Sequence, residues 1–410
     1  MKTIQYMGSK KNLLEFIDNS INNYVKKDEV KIFYDAFSGS GRVAYYFKDK
    51  YKIITSDKQH FTKIINEAYL NNNIPNNNID KYIEELNNLD DSYFEETDKW
   101  YTKNYSTNWN NGVSIGKDNN PKIWLTKNAK KIDMIRNKID DKDFLKDTIK
   151  DIKIKNVLLL SLILAINKVS NVVGHQNGYL KKWCKNAEND LILENPNTYR
   201  SKKLTNNLNL VGDIYDILPT INADLIYFDP PYGTNNETLS VATRYSSFYH
   251  LWNTLVKNDR PKLFGKAGKP IETKGWTPDL EKNKKSIIIE KFKELIEMSN
   301  SKYVAFSYSN QGLLSKEDFF QIFKDLNCIN PYCYEKKHKM NTQSKIAIKE
   351  GKFINRKNHL NLIEYFFILE KKKLNKKDVI NDILNQLNNN LQDNKIYYSK
   401  SLKNILTNIY

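Results

Sequence analysis

Leu225-Ile226-Tyr227-Phe228-Asp229-Pro230-Pro231-Tyr232 is an apolar run that ends in an acid, two prolines and a tyrosine. Residues 225 to 228 read as a buried strand, and the prolines stop it, because neither can donate a ladder hydrogen bond or enter a helix interior. Open α/β sheets bind ligands beyond the carboxyl ends of their strands. Asp229, the carbonyls of Pro230 and Pro231, and the Tyr232 ring are therefore expected at the mouth of a cleft. Together they offer acceptors for the hydrogens of an amine and an aromatic face for the ring that carries it. The same residues can also end a strand with no ligand at all, so other parts of the chain must decide.

Tyr34-Asp35-Ala36-Phe37-Ser38-Gly39-Ser40-Gly41 follows an apolar stretch from Ile32 and precedes Arg42 to Phe47, which has helical character. This predicts a strand, a glycine turn and a helix. Gly39 and Gly41 allow positive φ and let a ligand lie against bare backbone, while the exposed amides of a helix start attract anionic oxygens. With Ala44 in the last place the turn also fits the dinucleotide pattern Gly-x-Gly-x-x-Ala, so a dehydrogenase is equally compatible at this point. Asp57 closes the next strand, from Tyr51, where an acid either bridges ribose hydroxyls or caps the helix predicted from Lys58 to Tyr69. Leu208 to Asp213 forms a further strand ending in Gly-Asp, and Asp213 can accept from an adenine amino group.

In kind and order these segments, with Tyr6-Met7-Gly8-Ser9-Lys10, resemble the D12 class of adenine-N6 DNA methyltransferases, Dam-like and closest to the restriction-modification members. The resemblance covers roughly residues 1 to 370. It implies a Rossmann-like α/β sheet with helices on both faces that holds S-adenosylmethionine, plus an inserted, mostly helical target-recognition region. Tyr6, Gly8 and Lys10 match its amino-terminal motif, and Asp35, Phe37, Gly39 and Gly41 its cofactor turn. Asp57 and Asp213 match the acids at the cofactor's ribose and adenine. Asp229, Pro230, Pro231 and Tyr232 match the catalytic motif. Implied partners are double-stranded DNA and a separately acting restriction endonuclease, and a cytoplasmic monomer is expected.

The chemistry follows from the residue types. Adenine N6 is a weak nucleophile and a sulfonium methyl a strong electrophile, so alignment and electrostatics matter more than a base. A base inside a duplex cannot reach such a cleft and must be flipped out, with Tyr232 and a second aromatic, expected to be Tyr249, offsetting the unstacking. Cytosine-C5 methylation needs a thiolate nucleophile, and none of Cys184, Cys328 or Cys333 directly follows a proline. Cytosine-N4 methylation, RNA adenine methylation and an inactive nucleic-acid-binding protein on the same fold remain open. No metal site is expected, since the cysteines lack zinc spacing.

The 410 residues include 65 basic and 48 acidic side chains, a net charge of +17, which suits a polyanionic partner. Three scattered cysteines point to a reducing compartment, and the longest apolar run, Val157 to Ile166, is too short to span a bilayer and predicts a buried helix. The expected division is a discontinuous catalytic domain, 1–70 and 205–370, an insertion, 71–204, and a helical tail, 371–410. Within the insertion, Asn71 to Asn78 reads as a polar connector, and 79–97 and 127–150 as helices. Trp100 to Gly112 interleaves aromatics with Asn, Thr and Lys, either to read bases or to form a local core. Lys262 to Lys269 reads as a mobile phosphate-holding loop or a plain surface segment, and His250 as structural. Asn330 to Glu335 and Leu362 to Leu369 are expected to pair antiparallel around a basic loop carrying Lys336, Lys337, Lys339, Lys345, Lys349, Lys352, Arg356 and Lys357.

Overall fold

The computed structural model describes residues 1–201, 203, 206–232, 245–275, 277–338, 346–349, 352–355 and 362–371. After helix α1 (Leu14–Tyr24), strand β1 (Ile32–Asp35), helix α2 (Arg42–Phe47), strand β2 (Lys52–Asp57) and helix α3 (His60–Asn66) follow as the sequence predicts, with a π-helical turn over Glu67–Asn71. The insertion contributes α4 (Asn76–Asn87), α5 (Trp100–Tyr105), a short parallel pair β3 (Ser106–Thr107) and β4 (Trp124–Leu125), α6 (Thr126–Asp140) and α7 (Ile149–Val169). Next come β5 (Leu208–Val211), α8 (Ile214–Ile217), β6 (Leu225–Phe228), α9 (Tyr245–Phe248), α10 (His250–Lys257) and the hairpin β7 (Leu263–Phe264) and β8 (Lys269–Pro270). The chain closes with α11 (Lys285–Met298), β9 (Tyr303–Ser309), α12 (Lys316–Asp325), β10 (Ile329–His338), a small pair β11 (Ile346–Lys349) and β12 (Lys352–Asn355), and β13 (Leu362–Glu370).

The central sheet has seven strands in the order β10-β13-β9-β6-β1-β2-β5. From β9 to β5 all neighbours are parallel; β13 runs antiparallel to β10, as expected from the sequence, and also antiparallel to β9. Strand alternation sorts side chains onto two faces. Phe33, Ile53, Leu225, Tyr227, Ala305 and Phe366 pack with α1 and α2, whereas Tyr34, Ile54, Ile226, Phe228, Phe306 and Phe367 pack with α11 and α12. The chain runs outward from β1 through β2 to β5 and then crosses to β6 on the other side of β1. That reversal leaves a crevice between β1 and β6, and the register Asp35↔Tyr227 sets the two strand ends side by side.

Helix α7 is buried along most of its length and shares a core with Phe61 and Ile65 of α3, Ile79 and Ile83 of α4, Ile132 and Ile135 of α6, and Leu251 and Leu255 of α10. A helix apolar all round needs cover on every side, and these elements supply it. Among the described residues, no helix is long and apolar enough to cross a membrane. The helix expected over 127–150 is instead two, because α6 ends at Asp140 and Thr148 caps α7 by accepting from the Asp151 amide at 3.1 Å. The Asn71 to Asn78 connector is not loose. Buried Asn71 exchanges hydrogen bonds of 2.9 and 3.1 Å with the Asn207 backbone, and buried Asn72 donates to Thr198 at 3.0 Å.

The segment 262–269 is a pinned hairpin rather than a mobile loop. The Tyr105 and Tyr179 hydroxyls hold the carbonyls of Gly268 and Ala267 at 2.5 and 2.8 Å. In the basic stretch, Lys336 reaches the Asn12 carbonyl at 3.4 Å and lies over the Phe16 ring. Lys339, Lys345, Arg356, Lys357 and the tail from 372 lie outside the described residues, as do the side chains of Lys349 and Lys352.

Candidate active site

A cavity of about 770 Å³ opens at the β1/β6 crevice and is lined by both predicted motifs. On the β1 side the turn is built by backbone hydrogen bonds, Ser38 N–H to Ser56 O at 3.0 Å and Gly41 N–H to Ser38 O at 2.7 Å. Gly41 has φ +73°, and a Cβ there would stand 2.3 Å from the amide oxygen of buried Asn66, so only glycine fits. A Cβ on Gly39 would meet the Tyr6 ring at 2.8 Å, since the amino-terminal segment folds back over the turn. Tyr6 is stacked on Tyr249 with centroids 4.6 Å apart.

Three acids line this half of the cavity. Asp57 accepts from the Gly39 and Gln59 amides at 2.9 and 2.8 Å, and burial outweighs those bonds to push it up to about 6. Asp35 is 1% exposed, and one of its oxygens accepts from the Ala44 amide at 3.2 Å while the other has no partner among the described residues. Burial first, and the charge of Asp229 second, push Asp35 up to about 8. Asp213 caps α8 by accepting from the Tyr215 amide at 3.2 Å and pairs with Lys58 at 2.8 Å. Phe37 lines the cavity beside Ile214 and Tyr215.

On the β6 side, Asp229, Pro230, Pro231 and Tyr232 all line the cavity. Lys10, grouped with the cofactor residues on sequence grounds, lines the cavity and pairs with the Asp-Pro-Pro-Tyr turn. Its ammonium is 2.7 Å from Asp229 Oδ1, donates to the Gly8 carbonyl at 3.1 Å and lies 5.1 Å from the Tyr232 ring centre. The Tyr232 hydroxyl also donates to Asp229 Oδ1, at 2.9 Å, and its ring is tilted against Tyr308. Both contacts fall on Oδ1, and Oδ2 carries neither.

Tyr249 is not a cavity wall. It is fully buried, and its hydroxyl accepts from the Met7 amide at 2.8 Å. The aromatic from this region that lines the cavity is Tyr245, whose hydroxyl reaches the Met7 carbonyl at 3.4 Å. Tyr249 falls in the break between α9 and α10, so helical spacing could not tell which tyrosine faces the ligand. His250 is 2% exposed, and burial drops it to about 3, which fits a structural role. Sequence reasoning also missed the segment Thr277 to Glu281 and Glu364 of β13, which line the cavity.

The residues fit S-adenosylmethionine on their own chemistry. A buried, unmatched Asp35 oxygen suits a cationic ligand group, the Asp57 and Asp213 carboxylates suit hydroxyl and amino hydrogens, and Gly39 lines the cavity with no side chain of its own.

A largely parallel sheet with one antiparallel strand next to its edge strand, and a glycine turn facing an Asp-Pro-Pro-Tyr turn across the switch point, is consistent with a methyltransferase fold. Residues 6–322 match the family model described as D12 class N6 adenine-specific DNA methyltransferase, and the chain belongs to that family. It is 28% identical to Modification methylase StsI of Streptococcus sanguinis over 94% of this chain and 54% of that protein. To Type II methyltransferase M.FokI of Planomicrobium okeanokoites it is 31% identical over 78% of this chain and 47% of that one. The chain spans about half the length of these two relatives. Type II methyltransferase M.NlaIII of Neisseria lactamica is matched over 99% of its own length and 90% of this chain at 26% identity.

Proposed function

We propose that this chain transfers a methyl group from S-adenosylmethionine to N6 of an adenine flipped out of a specific duplex DNA sequence, as the modification component of a restriction-modification system. The observation that carries this reading is the shared cavity: Asp229 and the turn residues Phe37 to Ser40 meet in one hollow at the sheet's switch point. Bound S-adenosylmethionine supplies a methyl carbon already activated by its sulfonium.

The chain's own groups do the rest. Asp229 Oδ2, which takes neither the lysine nor the phenol contact, and the Pro230 carbonyl accept the two N6 hydrogens, turning the nitrogen lone pair toward the cofactor turn. As positive charge grows on N6, the fixed carboxylate stabilises it more than it stabilised the neutral amine. The rings of Tyr232 and Tyr245 hold the extruded base, and stacking of this kind contributes about 1–3 kcal/mol per base.

Target reading is assigned to the insertion, 71–204, between the catalytic segments 1–70 and 205–370. Tyr101 and Tyr105 are core residues, so the reading surface falls on the exposed side chains that follow, Trp109 (49% exposed), Val113 (37%) and Lys117. DNA of one sequence, a separately acting endonuclease, a cytoplasmic setting and a monomeric state complete the proposal.

The test is transfer of labelled methyl from S-adenosylmethionine. Incorporation into duplex DNA supports the reading. Incorporation into RNA alone, or into no nucleic acid, contradicts it.

A further inference from the structure

Neither sequence motif accounts for Glu364, a residue of the same cavity. It stands near the start of β13, the strand that runs against the parallel set, so this end of β13 meets the carboxyl ends of the others. Its cross-strand neighbours are Ser309 on β9 and Lys336 on β10. One oxygen, Oε2, is buried with no hydrogen-bond partner among the described residues. An unmatched buried carboxylate oxygen is costly and asks for a reason.

The groups that act on Glu364 can be named from each side. Lys10 comes from the amino-terminal segment and favours its charged form, and Asp229 from the β6 turn opposes it. Burial dominates and pushes Glu364 up to about 7. Tyr227 and Tyr232 are also within electrostatic reach, but their hydroxyls are committed to Ser307 at 2.7 Å and Asp229 at 2.9 Å. Lys336 is turned toward Asn12 and Phe16.

The proposed reaction leaves a proton to place. When the N6 lone pair forms the new N–C bond, the C–S bond breaks and its electron pair stays on sulfur. Nitrogen is left positively charged with two hydrogens, one of which must depart. Asp229 Oδ1 is already held by an ammonium and a phenol, and Oδ2 stays as the hydrogen-bond acceptor that fixes N6. The hydrogen that departs is therefore the one facing the Pro230 carbonyl, which cannot keep a proton. We propose that Glu364 is the proton acceptor of the methyl transfer: its carboxylate forms the O–H bond, the N–H electron pair remains on N6, and the proton passes to water once product leaves.

This inference rests on the proposed function, and the experiment separates the two. Single-turnover methylation by the full chain is followed from about pH 5.5 to 8.5 for wild type, Glu364→Gln and Glu364→Asp, with cofactor and DNA binding measured alongside. The carboxylate must be ionised to accept, so the wild-type rate rises with pH and levels above about 7. Glu364→Gln is slower by about 10²-fold and lacks the inflection near 7, with binding changed by less than about two-fold. Glu364→Asp recovers part of the rate and the inflection. Wild-type rate in Glu364→Gln, or a slow variant that keeps the inflection, would overturn the assignment while leaving the methyltransferase reading intact. Absence of transfer by wild type to any nucleic acid would bring down both.

Discussion

Replacing Lys10 with Met tests whether the lysine serves the catalytic acid or the cofactor. Its ammonium sits 2.7 Å from Asp229 Oδ1, and the two side chains are only 6% and 18% exposed. At that distance and an effective dielectric of about 20 the attraction is about 6 kcal/mol before desolvation is counted. Removing one partner of a buried pair leaves the other charge unmatched, which costs about 3–5 kcal/mol. Lys10→Met is therefore expected to lose about 3 kcal/mol in urea denaturation, Asp229→Asn a comparable amount, and the double variant at least about 1 kcal/mol less than their sum. In single-turnover assays Lys10→Met should fall by at least about 10²-fold while S-adenosylmethionine affinity moves by less than about three-fold. Additive stabilities, or a variant whose defect is confined to cofactor affinity, would refute the assignment of Lys10 to Asp229.

Asp35→Asn should melt higher than wild type at pH 8 and nearly level with it at pH 4. The folded carboxyl titrates at about 8 against an ordinary 3.8, so the folded state holds the extra proton and the wild type loses stability as pH rises between the two. The same variant should lose cofactor binding, and wild type should release protons on binding at pH 7, measured by calorimetry in buffers of different ionisation enthalpy. A melt shift of equal size at both pH values would contradict this. Gly41→Ala forces a side chain to φ +73° and against Asn66, with an expected loss of about 1–3 kcal/mol in urea and at least about ten-fold in cofactor affinity. Unchanged stability would show that the turn tolerates a Cβ. Affinity for nonspecific duplex DNA should fall by about 0.9 log unit per log unit of salt for each phosphate neutralised, and a salt-independent Kd would exclude backbone contacts by the basic surface.

The residues legible in sequence are those whose neighbours in the chain fix their place. An apolar run stopped by two prolines must deliver Asp229 to a strand end, and two glycines between a strand and a helix must turn there. The β10/β13 pairing was readable from alternation for the same reason. What could not be read depends on distant partners. Lys10 meets Asp229 only because the amino terminus folds over the glycine turn, and Glu364 enters the cavity only because β13 inserts antiparallel beside β9. Asn71 and Asn72 resemble linker residues in composition, yet they are buried because Asn207 and Thr198 lie against them. The choice of Tyr245 over Tyr249 turned on a helix break that side-chain periodicity does not reveal.

The central claim, that Asp229 and the cofactor turn act on one adenine amine, is tested most directly by nucleoside mass spectrometry of DNA incubated with S-adenosylmethionine and either wild type or Asp229→Ala. The account predicts N6-methyladenine with wild type and none with Asp229→Ala, which still binds the cofactor. N6-methyladenine formed by Asp229→Ala at the wild-type rate, or N4-methylcytosine as the wild-type product, would contradict it.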